Sequence, residues 1–172
     1  MKLSRWLTPF TAAVLMLSLS GCGEKVQYSS LVSFGDSLSD VGTYKVGTVA
    51  ALGGGKYTVN SSSAKNWTEL VATHYNLAAP CAAQTGLDGD ASKGFSVAVT
   101  NRASCFNYAQ GGARVTNPVG PGNKYLGGDN ATLGQLTVPV VTQMQNHLGK
   151  LPQGKFAGTE LVTVIVQLDR VT

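Results

Sequence analysis

The chain has 172 residues, of which 43% are hydrophobic and 13% charged, with a formal net charge of +4. This is long enough for one domain with a proper core, and too apolar and too sparsely charged for a disordered polymer. No Lys/Arg run and no basic face at helical spacing occurs, so nucleic-acid binding is excluded as an organising function.

At the N-terminus, Lys2 and Arg5 precede a mostly apolar stretch from Trp6 to Leu19 and the small residues Ser20 and Gly21. Together these read as an export signal over residues 1–21, and the apolar stretch is too short to span a bilayer comfortably. The sequence LSGC, Leu19 to Cys22, resembles the bacterial lipobox. That resemblance implies lipidation of Cys22, a tether over residues 22–30 and attachment to the membrane of the cell envelope. Gly23, rather than Asp, follows the cysteine, which by analogy with such lipoproteins implies sorting to the outer membrane. The plainer alternative is an ordinary cleaved signal with an incidental Cys22. Lys2 and Arg5 leave with the signal in either case, so the exported domain is nearly neutral.

Leu31 to Phe34 read as a short buried strand that ends at a Gly-Asp-Ser turn, and Ser37 to Tyr44 as the start of a helix weakened by glycine. Residues 53–66 form a Gly/Ser-rich loop, and Asn66 caps a helix over Trp67 to Tyr75 whose apolar face is Trp67, Leu70 and Val71. The triple glycine at 53–55 is no phosphate loop, because no strand precedes it and no Gly-Lys-Ser/Thr follows. Pro80 to Ser104 read as a polar, turn-rich insertion. Cys81 and Cys105 are the even remainder in an exported chain, which points to a disulfide contributing roughly 3 to 4 kcal/mol in the chain-entropy model. Neither lies in a Cys-x-x-Cys pair or at ligand spacing from a histidine, so no metal site is expected.

CFNYAQGGAR then reads as a strand end leading into a Gly-Gly turn, and residues 116–131 as a second long loop. Helical spacing runs through Leu136, Val140, Met144 and Leu148, with Pro139 marking a kink or a late start. Leu161 to Leu168 read as a buried parallel strand. This order of strands and helices is that of a doubly wound α/β sheet.

Ligands of open α/β sheets bind beyond the carboxyl ends of the strands, and two glycine-bearing turns fall there. In the first, FGDSLSDVG from Phe34 to Gly42, Ser37 projects a hydroxyl from the sheet edge while its own N–H can face an oxyanion. Gly35 permits close backbone approach, and Asp36, Ser39 and Asp40 can fix the turn through hydrogen bonds. In the second, NYAQGGA from Asn107 to Ala113, the Gly112 N–H is a candidate second donor, with Gly111 the alternative. The plain structural readings are a capping or turn serine at Ser37 and a conformational glycine at Gly112.

These two stretches, in this order, resemble block I and block II of the GDSL esterase/lipase family, the SGNH hydrolases. No GxSxG elbow occurs, which sets aside the other common serine hydrolases. The resemblance covers most of residues 31–168. It implies a flavodoxin-like three-layer α/β sandwich with a parallel sheet, and hydrolysis of carboxylic esters through an acyl-serine, without metal or organic cofactor. Ser37 then corresponds to the nucleophile, and the N–H groups of Ser37 and Gly112 to oxyanion donors. Asp36, Leu38, Ser39, Asp40 and Gly42 correspond to motif support, with Gly35 and Asn107 in the same two blocks.

The family also has a Gly-x-Asn-Asp block after the third strand, where this chain has Gln167-Leu168-Asp169-Arg170. Loss of one oxyanion donor typically lowers the rate about 10²- to 10³-fold. Neither His74 nor His147 is preceded by Asp at the family's Asp-x-x-His spacing, and both sit in helical patterns that suggest structural roles. Residues 31–172 are accordingly expected to represent the N-terminal part of an SGNH hydrolase domain, incomplete at its C-terminus, catalytically impaired and prone to aggregate. The alternative expectation is a non-catalytic envelope lipoprotein or binding module that retains the fold.

Overall fold

The computed structural model describes residues 26–56 and 63–166. The export signal, Cys22 and the Gln167–Arg170 segment lie outside the described residues. The protein is a mixed α/β structure with a two-stranded parallel sheet and an antiparallel pair.

Strand β1, Ser30–Gly35, pairs in parallel with β4, Glu160–Ile165, in the register Leu31 to Leu161 through Gly35 to Ile165. On its other side β1 is bridged at Ser33 to Asn107, which is bridged in turn to Ala82. The Ser33 N–H donates to Phe106 O (3.0 Å) and the Tyr108 N–H to Ser33 O (2.7 Å). Thus β1 is flanked by chain on both sides, and its apolar residues are buried, as its unbroken LVSF run predicts.

β4 is parallel as expected but is not a buried strand. Val162 and Val164 are 41% and 46% exposed, because among the described residues β1 is its sole partner and one face remains uncovered. At the tip of the sheet, a Cβ on Gly35 would collide with the Ile165 carbonyl oxygen, so glycine is required there by close approach.

The core gathers Val32, Phe34, Ala83, Tyr108 and Val140, with Phe106 and Met144 packed against it. Phe34 and Tyr108 stack with centroids 5.5 Å apart. Cys81 and Cys105 form a disulfide, tying together the two ends of the segment that separates Ala82 from Asn107.

Several sequence expectations are corrected. Residues 37–44 are turns rather than a helix, because carboxylates capture the N–H groups that a helix would use, and the first helix, α1, is Gly47–Ala51. Helix α2, Trp67–His74, is capped by Asn66 as expected, but it buries Thr68 and Ala72 and leaves Leu70 exposed.

The segment 80–104 holds an antiparallel hairpin of β2, Gln84–Asp88, and β3, Ser96–Asn101, irregular between Thr85 and Leu87. The loop read over 116–131 already contains the start of a short helix, α3, Gly128–Leu133. Pro139 is a late start and not a kink: α4 runs Val140–Leu148 and buries Val140, Gln143 and His147. Proline without an N–H is tolerated at that boundary and not inside the helix.

Candidate active site

Immediately after β1 the chain folds around the side chain of Asp36, whose Oδ1 accepts the Leu38 N–H at 2.9 Å. The Asp36 carbonyl accepts the N–H groups of Ser39 and Asp40, both at 3.1 Å. Ser37 therefore occupies the apex of a one-turn loop and is only partly buried, while Asp36, Ser39 and Asp40 are buried around it. Among the described residues no hydrogen bond engages the Ser37 hydroxyl or its N–H.

A second carboxylate ties this loop to the glycine turn. Asp40 is fully buried; its Oδ1 accepts the N–H groups of Gly42 and Thr43, each at 2.8 Å, and its Oδ2 accepts that of Gly111 at 2.9 Å. Burial pushes its carboxyl up to about 6, while the N–H donors of Thr43, Gly42 and Gly111 pull the other way. Three further bonds join the same two loops. Asn107 Nδ2 donates to Ser39 O (2.9 Å), Thr43 Oγ1 to Ala109 O (3.0 Å) and Tyr44 Oη to Gly111 O (2.9 Å). The two motifs, separated by some seventy positions in the chain, are thus one rigid unit.

The alternative between the two glycines is narrowed by this arrangement. The Gly111 N–H is committed to Asp40, whereas no described residue accepts the Gly112 N–H. Gly112 has φ +77°, and a Cβ there would collide with the Pro121 carbonyl oxygen. Only glycine fits this position without strain.

Gly35 is held from the other side. Gln143 accepts the Gly35 N–H with Oε1 and donates from Nε2 to Gly35 O, both at 2.9 Å, and to Val138 O. The Gln110 N–H adds a second donor to Gly35 O at 3.1 Å. Asn66, anticipated only as a cap, also donates from Nδ2 to Leu38 O at 3.0 Å, so the start of α2 supports the serine loop. Gln143, Thr43 and Tyr44 were missed altogether as supports. The available signal was Gln143 itself, a polar residue three positions after Val140 and so on the same inward face of α4.

The two histidines are placed away from any described contact with Ser37. His74 lies exposed at the end of α2, edge-on to the Tyr75 ring. His147 is 2% exposed and lies among Phe34, Phe106, Tyr108 and Phe156, with Nδ1 3.2 Å from Tyr108 Oη. Its burial, and next the Lys150 charge, lowers its imidazole below the ordinary histidine value. Among the described residues no group of three His, Cys, Asp or Glu side chains is assembled as a metal set.

The chain matches no family model, and no curated protein matches it.

Proposed function

We propose that the protein is a serine hydrolase of carboxylic esters of the GDSL, or SGNH, type, with Ser37 as nucleophile and a flavodoxin-like domain around it. The observation that carries this reading is the Asp40 clamp: one buried carboxylate fixes the serine loop through Gly42 and Thr43 and the glycine turn through Gly111. A hydrolytic serine needs donors held rigidly where the oxyanion will form, and rigidity between these two loops is what the clamp supplies.

In the proposed reaction Ser37 Oγ attacks the ester carbonyl, and the N–H groups of Ser37 and Gly112 receive the developing oxyanion. The Ser37 proton passes to the departing alkoxide, so the alcohol leaves and an acyl-serine remains; water then attacks the acyl group, returns a proton to Ser37 Oγ and releases the acid. The ester class is a lipid, acyl or acetylated-sugar ester. Lipidation at Cys22 would hold the domain at the cell envelope, most simply at the outer membrane.

The second reading is a binding module with the same fold, and one observation favours it: neither described histidine contacts Ser37. A serine without a base is a weak nucleophile. Turnover of p-nitrophenyl acetate and butyrate by the purified protein separates the two. Hydrolysis that disappears in Ser37→Ala, with an unchanged melting temperature, supports the hydrolase; equal rates for both proteins refute it.

A further inference from the structure

A cleft of about 300 Å³ opens between the hairpin, the Tyr108–Gln110 segment and α4. Its polar lining comes from Gln84, Asn101, Gln110, Gln143, Asn146 and Lys150, with the Tyr108 ring beside them, and it contains no Asp or Glu among the described residues. A volume of this size lies at the lower end of small-ligand pockets.

The orientation of these amides is fixed by a group that can only donate. The Val138 N–H donates to Gln110 Oε1 at 2.9 Å, which settles which end of that amide is oxygen. Gln110 Nε2 then donates to Gln84 Oε1 (2.9 Å), and Gln84 Nε2 donates to Asn101 Oδ1 (3.0 Å). Among the described residues the relay ends with Asn101 Nδ2 as an uncommitted donor. One N–H on Gln84 and one on Gln110 are left over as well, and each engaged oxygen keeps a second lone pair. Lys150 Nζ sits 5.0 Å from the centroid of the Tyr108 ring, so the ammonium belongs to the same cleft.

Surplus N–H donors beside a lysine, with no carboxylate present, suit an anionic oxygen acceptor. Spare lone pairs on fixed amide oxygens suit hydroxyl groups. From this combination we propose that the cleft binds a small hydroxylated carboxylate, the chemical class of the uronic and other sugar acids. The site is separate from Ser37 and stands whether or not the protein hydrolyses esters.

The test is calorimetric titration of the purified full chain with glucuronate, glucose and acetate. Glucuronate saturates one site, and glucose, which lacks the charge, and acetate, which lacks the hydroxylated body, bind at least about tenfold more weakly. Lys150→Ala and Asn101→Ala each weaken glucuronate about tenfold. Both side chains are exposed, so both variants keep the parent melting temperature. Absence of saturation by glucuronate, equal affinity for glucose or for acetate, or unaltered binding by either variant overturns the proposal.

Discussion

Asp40 combines complete burial with an ionisable group, and its consequence for stability has a definite sign. Its carboxyl is raised to about 6 in the folded protein against 3.8 unfolded, so the folded state holds the proton more tightly. The resulting stabilisation is fully present below pH 3.8 and is lost as pH rises through about 6. Urea midpoints should therefore fall across this window in the parent and not in Asp40→Asn, once the shared contribution of other groups is subtracted; identical slopes would exclude Asp40 as the cause. His147 acts in the opposite sense, since its lowered imidazole costs stability as pH falls below 6.5. Ser39 offers a simpler substitution. Its hydroxyl is buried and, among the described residues, has no hydrogen-bond partner, so Ser39→Ala is expected to leave the melting temperature unchanged or raise it. A loss of more than about 1 kcal/mol would show that the hydroxyl has a partner.

At the level of elements, the start of α2 does two tasks at once. Asn66 accepts the Thr68 N–H at 2.8 Å, receives Glu69 on its own N–H at 2.7 Å and supports Leu38 O. Asn66→Ala removes the cap and the support, and is expected to cost about 1 to 2 kcal/mol in chemical denaturation. It should lower any Ser37-dependent activity further than that stability loss explains. The start of α2 was legible because Asn at a cap position is a local signal. Its inward face was not, since the buried positions, Thr68 and Ala72, are small and only weakly apolar, whereas the large apolar Leu70 is exposed. The hairpin of β2 and β3 escaped although Phe95, Val97 and Val99 alternate at strand spacing, because the run is short, flanked by polar turn residues and almost wholly exposed. The serine loop misled in the opposite direction, because Asp36 and Asp40 hold by side-chain bonds a turn that periodicity reads as a helix start.

For the whole molecule, the parallel register of β1 with β4 and the union of the two motif loops organise everything else. The two motifs were readable as a pair because glycine, aspartate and serine requirements at turns are local. Their joining through Asp40 and Gly111 was not, because it depends on a contact across the fold. Sheet architecture leaves one conspicuous feature, Val162 and Val164 exposed on β4, with Val166 exposed just beyond its end. An apolar row on a strand with one neighbour favours association between copies. Val164→Lys is expected to lower light scattering of concentrated protein while leaving the melting temperature within a few degrees; unchanged scattering would place self-association elsewhere. Among the described residues no helix is long and apolar enough to cross a membrane.

The central claim is that the clamped loop presents Ser37 as a nucleophile. Incubation of the purified protein with a fluorophosphonate, followed by intact mass and peptide mapping, addresses it without a known substrate. One phosphonyl adduct per chain is expected, located on Ser37 and absent from Ser37→Ala. An unmodified mass after prolonged incubation, or an adduct on another residue, would contradict it and leave the protein as a binding module built on a hydrolase-like turn.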